Sequence, residues 1–208
     1  PELQAGPGGQ VGYMHTTPRP GQMRLWTYQA IAHGADAILH FRWRTCRFGA
    51  EEYWCGVLDH DNRPRRRYEE FSREGHELRH FGDRLLGTSV RIDAAVLVEH
   101  DQDQAHATMP LALPSPREQG RAMHAELWRR KLPVGKVEAS DSFKGLRLLA
   151  VPSFVMLDED LVARLGSFVR GGGVLLVSAR TGTRDRCNRV TNLTPPGLLA
   201  GLVGATVE

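Results

Sequence analysis

The sequence predicts an α/β protein with parallel strands, and three observations carry that expectation. The stretch Gly21 to Arg44, GQMRLWTYQAIAHGADAILHFRWR, reads as one helix, a tight stop and one strand, which is half of a parallel βα unit. Residues 90–208 alternate apolar, β-prone runs with helical stretches, the pattern of a three-layer domain on a parallel sheet. Hydrophobic residues make up 41% of the 208, enough for a real core and too many for wholesale disorder. A chain of this length holds one large or two small domains, and the change of composition after Gly87 divides it into 1–87 and 90–208.

The first domain opens on PELQAGPGGQVGYMHTTPRP, where Gly and Pro leave no periodicity and a loop is expected. Pro20 then suits a helix start. Met23, Trp26 and Ala30 recur three and four apart, as do Leu25, Tyr28 and Ala32, giving a wide apolar helical face. His33 lies in the last turn, and Gly34 can take the left-handed conformation that ends a helix. Ile38 to Arg44 alternates: Leu39, Phe41 and Trp43 are expected on one face, His40, Arg42 and Arg44 on the other. Cations beside aromatics at a strand end suit a hydroxyl-rich ligand. LDHDNRP is a turn. Asp59, His60 and Asp61 are adjacent, so their side chains diverge and form no metal cluster. A helix follows, with Tyr68, Phe71, Gly75, Leu78 and Leu85 on one face, a Glu69–Arg73 pair, and Gly82 and Gly87 marking its end. Arg65-Arg66-Arg67 at its start is expected to be a solvated, counter-charged surface.

In the second domain Arg91 to Val98 reads as a buried parallel strand. A Pro-rich loop from Met109 to Pro116 leads to a helix over Arg117 to Lys131, with Ser115 as N-cap and Pro116 at the first helical position. Pro133 to Val137 and Leu146 to Val151 are further strands. Asp158-Glu159-Asp160 places acids at the positive end of a helix, Leu161, Leu165 and Phe168 recur along it, and Gly171-Gly172-Gly173 stops it. Val174 to Ser178 is the fourth strand. A Leu198–Val203 helix and a short Thr206-Val207 strand close the chain. The Gly171–Gly173 run precedes its strand, whereas a dinucleotide fingerprint follows one, so no nucleotide loop is expected there.

The net charge of +3 is too small to argue for nucleic acid, and no aromatic–basic RNA motif appears. No apolar run approaches the roughly 18 residues a membrane helix needs, and no secretory signal is read at the start. Cys46, Cys55 and Cys187 are odd in number and show no CxxC spacing, so neither zinc nor a disulfide framework is expected. Neither metal nor cofactor is expected, and the default compartment is the reducing cytoplasm. The chain opens on Pro1-Glu2 without an initiator Met, and we expect it to be a fragment of a longer protein.

RLWTYQAIAHGADAILHFRWR resembles the end of the catalytic barrel of the β-galactosidases of glycoside hydrolase family 42, whose pattern there is R-L-W-T-W, then H-G-A, then F-R-W-R. The resemblance extends over nearly the whole chain. It implies that residues 1–87 are the last βα units of a TIM-type (β/α)8 barrel. Residues 90–208 would then be a class I glutamine-amidotransferase-like domain that forms a homotrimer. It implies hydrolysis of terminal β-D-galactosides, or a related β-glycoside, with retention. Glu2, before the Gly-Pro-rich loop at the end of the seventh barrel strand, corresponds to the catalytic nucleophile. A retaining glycosidase needs a second carboxylate about 5–5.5 Å away, and the general acid lies outside this chain. The fragment alone is therefore expected to be inactive. Phe48 and Glu51 match galactose-binding positions, Trp54 stands where a His is expected, and Tyr13 is the aromatic available for the platform a Trp usually supplies. Glu51 can accept from two hydroxyls, while an indole stacks and only donates, which leaves strict galactose recognition open. With its barrel neighbours outside the chain, the apolar face of strand 38–44 is expected to be exposed, disordered or packed on a partner.

An amidotransferase needs a Cys on a strand-to-helix elbow and a His to activate it. Val174–Ser178 leads instead to ARTGTRD, Cys187 lies in a polar loop, and His100, His106 and His124 are scattered, so no chemistry is expected from residues 90–208. The reading from another functional class is a non-catalytic α/β assembly or binding module.

Overall fold

Met23 and Thr27 are buried, four residues apart, on helix α1, Gln22–Ala32. This helix fixes the first of two compact units, Pro1–Val90 and Arg91–Glu208, in the computed structural model, which describes residues 1–207. Gly21 caps α1 at φ 81° and Gly34 follows it at φ 91°, both left-handed conformations that glycine adopts without a Cβ clash. Pro20 thus sits ahead of the cap rather than at the first helical position. The expected apolar face is narrower than its spacing predicts, for Leu25 is 63% exposed.

Strand β1, Glu2–Gln4, pairs in parallel with β4, Leu39–Phe41. Between them Gly9–Gln10 (β2) and Tyr13–Met14 (β3) form a small antiparallel hairpin inside the stretch expected to be loop. Helix α2, Arg66–Phe81, completes the unit. It meets α1 where Tyr28 stacks on Phe81, ring centroids 5.8 Å apart, and where Glu77 accepts from Arg24 Nε at 2.8 Å and Tyr28 Oη at 2.9 Å. The Glu69–Arg73 pair does not form among the described residues; Arg66 instead reaches Glu70 at 3.1 Å.

The apolar face of β4 exposes Leu39, one of the outcomes expected of it, and the covered residue lies on the face read as polar. His40 is the inward residue, its side chain 6% exposed, and Leu39 is 67% exposed. Both helices cover the His40 side, where Phe71 stands edge-on to the imidazole at 5.2 Å. The alternation also ends at Phe41. Beyond it the backbone pairs with residues 57–58, Val57 N–H donating to the Arg42 carbonyl at 2.7 Å and Leu58 N–H to Trp43 at 2.8 Å. Trp43 consequently swings to the helix side, against Tyr68 and Phe71, instead of joining Leu39 and Phe41.

The second unit is a four-stranded, all-parallel sheet in the order β6-β5-β7-β8. Its strands are β5 (Ala94–Leu97), β6 (Val134–Val137), β7 (Leu148–Val151) and β8 (Val174–Val177). Helix α3, His100–Ala107, follows β5 and is absent from the sequence reading. It buries Gln102, Ala105 and His106 and carries too few apolar residues to show a period. Helix α4, Pro116–Arg129, begins at Ser115 with a full capping box: the Ser115 side chain accepts from Glu118 N–H and the Glu118 carboxylate accepts from Ser115 N–H. Ser115→Ala is expected to cost about 1 kcal/mol, seen as a lower urea midpoint; an unchanged midpoint would show that the cap contributes nothing.

Helix α4 lies close on one face of the sheet, where a Cβ on Gly120 would stand 3.3 Å from Val96 and 3.4 Å from Pro152. The opposite face, with Ala95, Leu97, Val137, Leu149 and Val151, packs on Leu161 and Leu165 of α5, Glu159–Arg170. Asp158 caps α5 by accepting from Leu161 N–H at 2.8 Å. Helices therefore cover both faces, the arrangement that lets parallel strands be apolar throughout. Beyond β8, Arg184 is 8% exposed and donates to the Ala105 carbonyl, Thr108 Oγ1 and Asn188 Oδ1. Arg180 donates to the carbonyls of Met109 and Pro110. The C-terminal end of α3 is thus met by cations, which its dipole favours. A short α6, Ala200–Val203, follows a single 3-10 turn at Gly197–Leu199. Among the described residues Thr206-Val207 is not a strand; Val207 N–H donates to the Pro195 carbonyl at 2.8 Å.

Candidate active site

The pairing of β1 with β4 sets the frame: Glu2 lies opposite Leu39, Leu3 opposite His40 and Gln4 opposite Phe41. Because side chains alternate along a strand, Leu3 and His40 face the helices. Glu2, Gln4, Leu39 and Phe41 share the other face. Glu2 is exposed at the first position of β1, one side-chain repeat, about 7 Å, below the row of Gln4 and Phe41.

At the C-terminal end of the two strands several rings converge. Trp54 meets Tyr13 at 6.0 Å, Phe41 at 6.3 Å and His15 at 6.4 Å, each nearly perpendicular to the indole. Edge-to-face contacts of this kind are favourable beyond the area they bury. The loop after β1 is pressed onto the same indole, since a Cβ on Gly8 would lie 3.1 Å from it, and Cys55 N–H donates to the Pro7 carbonyl at 2.8 Å. Tyr13 is 43% exposed and its hydroxyl accepts from Gln10 Nε2. Trp54 is therefore a fixed wall rather than a mobile platform. Beside it Arg42 stacks on Phe41, 4.3 Å from the ring centroid, and donates to Glu51 Oε2 at 2.5 Å.

Of the predicted residues, Tyr13, Trp54 and Glu51 are brought to this strand end. Phe48, 82% exposed, joins none of these ring contacts. Glu2 lies lower on the same face. His15 and Phe41 escaped the sequence reading as site residues, and only the pairing of the strands and the β2–β3 hairpin put them beside Trp54. No group of three or more potential metal ligands occurs among the described residues. The Asp59–Asp61 turn holds cations of the chain itself. Hydrogen bonds from Arg65 and Arg63 N–H hold the Asp61 carboxyl down at about 2, and Arg67 pairs with Asp59. Burial pushes the Cys55 thiol up, which keeps it protonated and unsuited to nucleophilic work.

In the second unit Ser153, Gln119 and Ser178 are tied into one another. Gln119 Nε2 donates to Ser153 Oγ at 2.6 Å, and Ser178 Oγ donates to Gln119 Oε1 at 2.8 Å. This network satisfies buried polar atoms at the strand ends. Cys187 is exposed, in a turn where its N–H donates to Asp185.

A family model described as beta-galactosidase, glycoside hydrolase 42, matches residues 2–81. A second, described as beta-galactosidase trimerisation domain, matches residues 92–208. Beta-galactosidase Bga of Halorubrum lacusprofundi is 34% identical over 96% of this chain and 29% of its own length. Beta-galactosidase BgaA of Clostridium cellulovorans is 30% identical over 94% of this chain and 30% of its own. Among solved structures, the beta-galactosidase from the psychrophilic Marinomonas ef1 has a TM-score of 0.89 at 27% identity, covering 100% of this chain and 32% of that one. That of the Halorubrum lacusprofundi enzyme has a TM-score of 0.83 at 34% identity, covering 100% and 30%. The chain thus spans about 30% of the length of these curated relatives. With the catalytic-family model on the first unit and the trimerisation-domain model on the second, this chain belongs to the glycoside hydrolase family 42 β-galactosidases.

Proposed function

We propose that the whole protein hydrolyses terminal β-D-galactosides with retention, and that this chain supplies the last βα units of its (β/α)8 barrel. Glu2 is the nucleophile, and the general acid comes from barrel strands outside these residues. Glu51, Trp54, Tyr13 and Phe48 belong to the sugar subsite. Residues 90–208 form the class I amidotransferase-like domain, which performs no chemistry and assembles the protein as a homotrimer. The observation that carries this reading is the face shared by Glu2 and Phe41 on two parallel strands. It leads up to a carboxylate and a set of rings at the strand ends, the side on which barrel enzymes carry their sites. Leu39, exposed on that same face, is where further barrel strands would close over it. Three free cysteines, Cys46, Cys55 and Cys187, accord with a reducing cytoplasm.

A carboxylate accepting sugar hydroxyls contributes roughly 1.5–3 kcal/mol per charged hydrogen bond. Glu51→Gln in the whole protein is therefore expected to lower kcat/KM for a nitrophenyl β-galactoside by about 10- to 100-fold, mainly through KM. Unchanged kinetics would remove Glu51 from the subsite. The 208-residue chain alone is expected to give no turnover, having one of the two required carboxylates.

A further inference from the structure

Glu51 lies in the turn-rich stretch between β4 and α2, outside any helix or strand. Its carboxylate has one protein partner among the described residues, Arg42, through Oε2 at 2.5 Å. Arg42 by contrast is anchored along its length. Its carbonyl accepts from Val57 N–H at 2.7 Å, and Gly56 comes so near that a Cβ there would stand 2.3 Å from that same oxygen. Its guanidinium lies on the Phe41 ring at 4.3 Å. Its side chain is 22% exposed against 47% for that of Glu51. A rigid strand end thus holds a loop carboxylate by one oxygen.

We propose that Arg42 is a positioning residue for sugar binding. It occupies Glu51 Oε2 and aims the carboxylate so that Oε1 remains free to accept a substrate hydroxyl. A guanidinium suits this role because it stacks on a ring and donates in a fixed plane, which an ammonium does not. The inference rests on the glycosidase reading, with Glu51 in the subsite.

The test is a double-mutant cycle in the whole protein, with KM and kcat measured separately on a nitrophenyl β-galactoside. Arg42→Ala is expected to raise KM about tenfold and change kcat less than threefold. Arg42→Ala combined with Glu51→Gln should match Glu51→Gln alone within about twofold, because residues acting through one contact are not additive. Arg42→Lys should recover only part of the lost KM. If the alanine variant fails to fold, Arg42→Met carries the test, since it keeps an apolar stem over Phe41 and removes the donors. An unchanged KM in Arg42→Ala, or in Arg42→Met, alongside an impaired Glu51→Gln overturns the positioning role. So do fully multiplicative effects, which would mean that Arg42 acts on its own. A Glu51→Gln variant with normal KM overturns the subsite reading itself, and the two failures are told apart by that single variant.

Discussion

Glu2→Gln in the whole protein is expected to lower kcat on a nitrophenyl β-galactoside by roughly 10³-fold or more while KM changes little, as removal of a covalent nucleophile does. The amide keeps the shape of the side chain and its place on β1, but it is neutral and does not attack an anomeric carbon. Glu2 shares a face with Gln4, Leu39 and Phe41, so a sugar held against the rings above would present its reacting carbon down that face. The complementary measurement uses the unsubstituted protein: a fluorinated galactoside that slows deglycosylation should add one sugar mass to the peptide containing Glu2. Retained turnover in Glu2→Gln, or the label on another carboxylate, would end the assignment.

The second large effect concerns a carboxyl used for packing. Glu74 is 2% exposed between α1, α2 and β4. It accepts from Thr27 Oγ1 at 3.0 Å and lies 3.9 Å from His40 Nε2. Glu74 Oε1, His40 Nε2 and Glu70 Oε1 have no hydrogen-bond partner among the described residues. Around it stand Arg24 and Tyr28 of α1, both turned to Glu77, and Glu70 of α2, turned to Arg66. Burial is the main cause that pushes the Glu74 carboxyl up to about 7 from 4.5, and burial pushes His40 down. Between pH 4.5 and 7 the folded chain keeps the Glu74 proton and the unfolded chain releases it. Stability from this group is therefore fully present below 4.5 and is lost as pH rises through 7. The loss is on the order of 3 kcal/mol at 1.36 kcal/mol per unit. His40 acts in the opposite sense, costing stability as pH falls below its ordinary 6.5, so the wild-type profile mixes the two.

Glu74→Gln isolates the carboxyl. Relative to wild type it should be within about 1 kcal/mol at pH 5 and more stable by about 3 kcal/mol at pH 8. Urea unfolding followed by tryptophan fluorescence reads this unit well, for Trp26, Trp43 and Trp54 all lie in it. A difference that stays flat from pH 5 to 8 would mean that Glu74 is ionised in the fold.

What was legible in the sequence followed from local chemistry. The helix stop at Gly34, the Ser115 cap and the acidic start of α5 are each decided within one turn of chain. The apolar runs that became β5 and β7 were legible because strands covered on both faces need no polar residues. Helix α3 was not, because it is held by buried polar groups, Gln102 hydrogen-bonded to Met156 and the helix end met by Arg180 and Arg184. Periodicity does not register such contacts.

That His40 is the covered residue of β4 was not legible, for a related reason. Alternation gives two faces, but only the placement of α1 and α2 decides which is covered, and they cover His40. By itself, then, the sequence determined the family, the order of strands β4 to β8 with helices α1, α2, α4 and α5, and the residue types available for sugar chemistry, because these depend on identities along the chain. The tertiary structure alone decided that Trp54 is walled in by Tyr13, His15 and Phe41, that Arg42 grips Glu51, and that a carboxyl is buried beside an imidazole. Those relations join residues far apart in the chain, and no spacing rule reaches across the loops that bring them together.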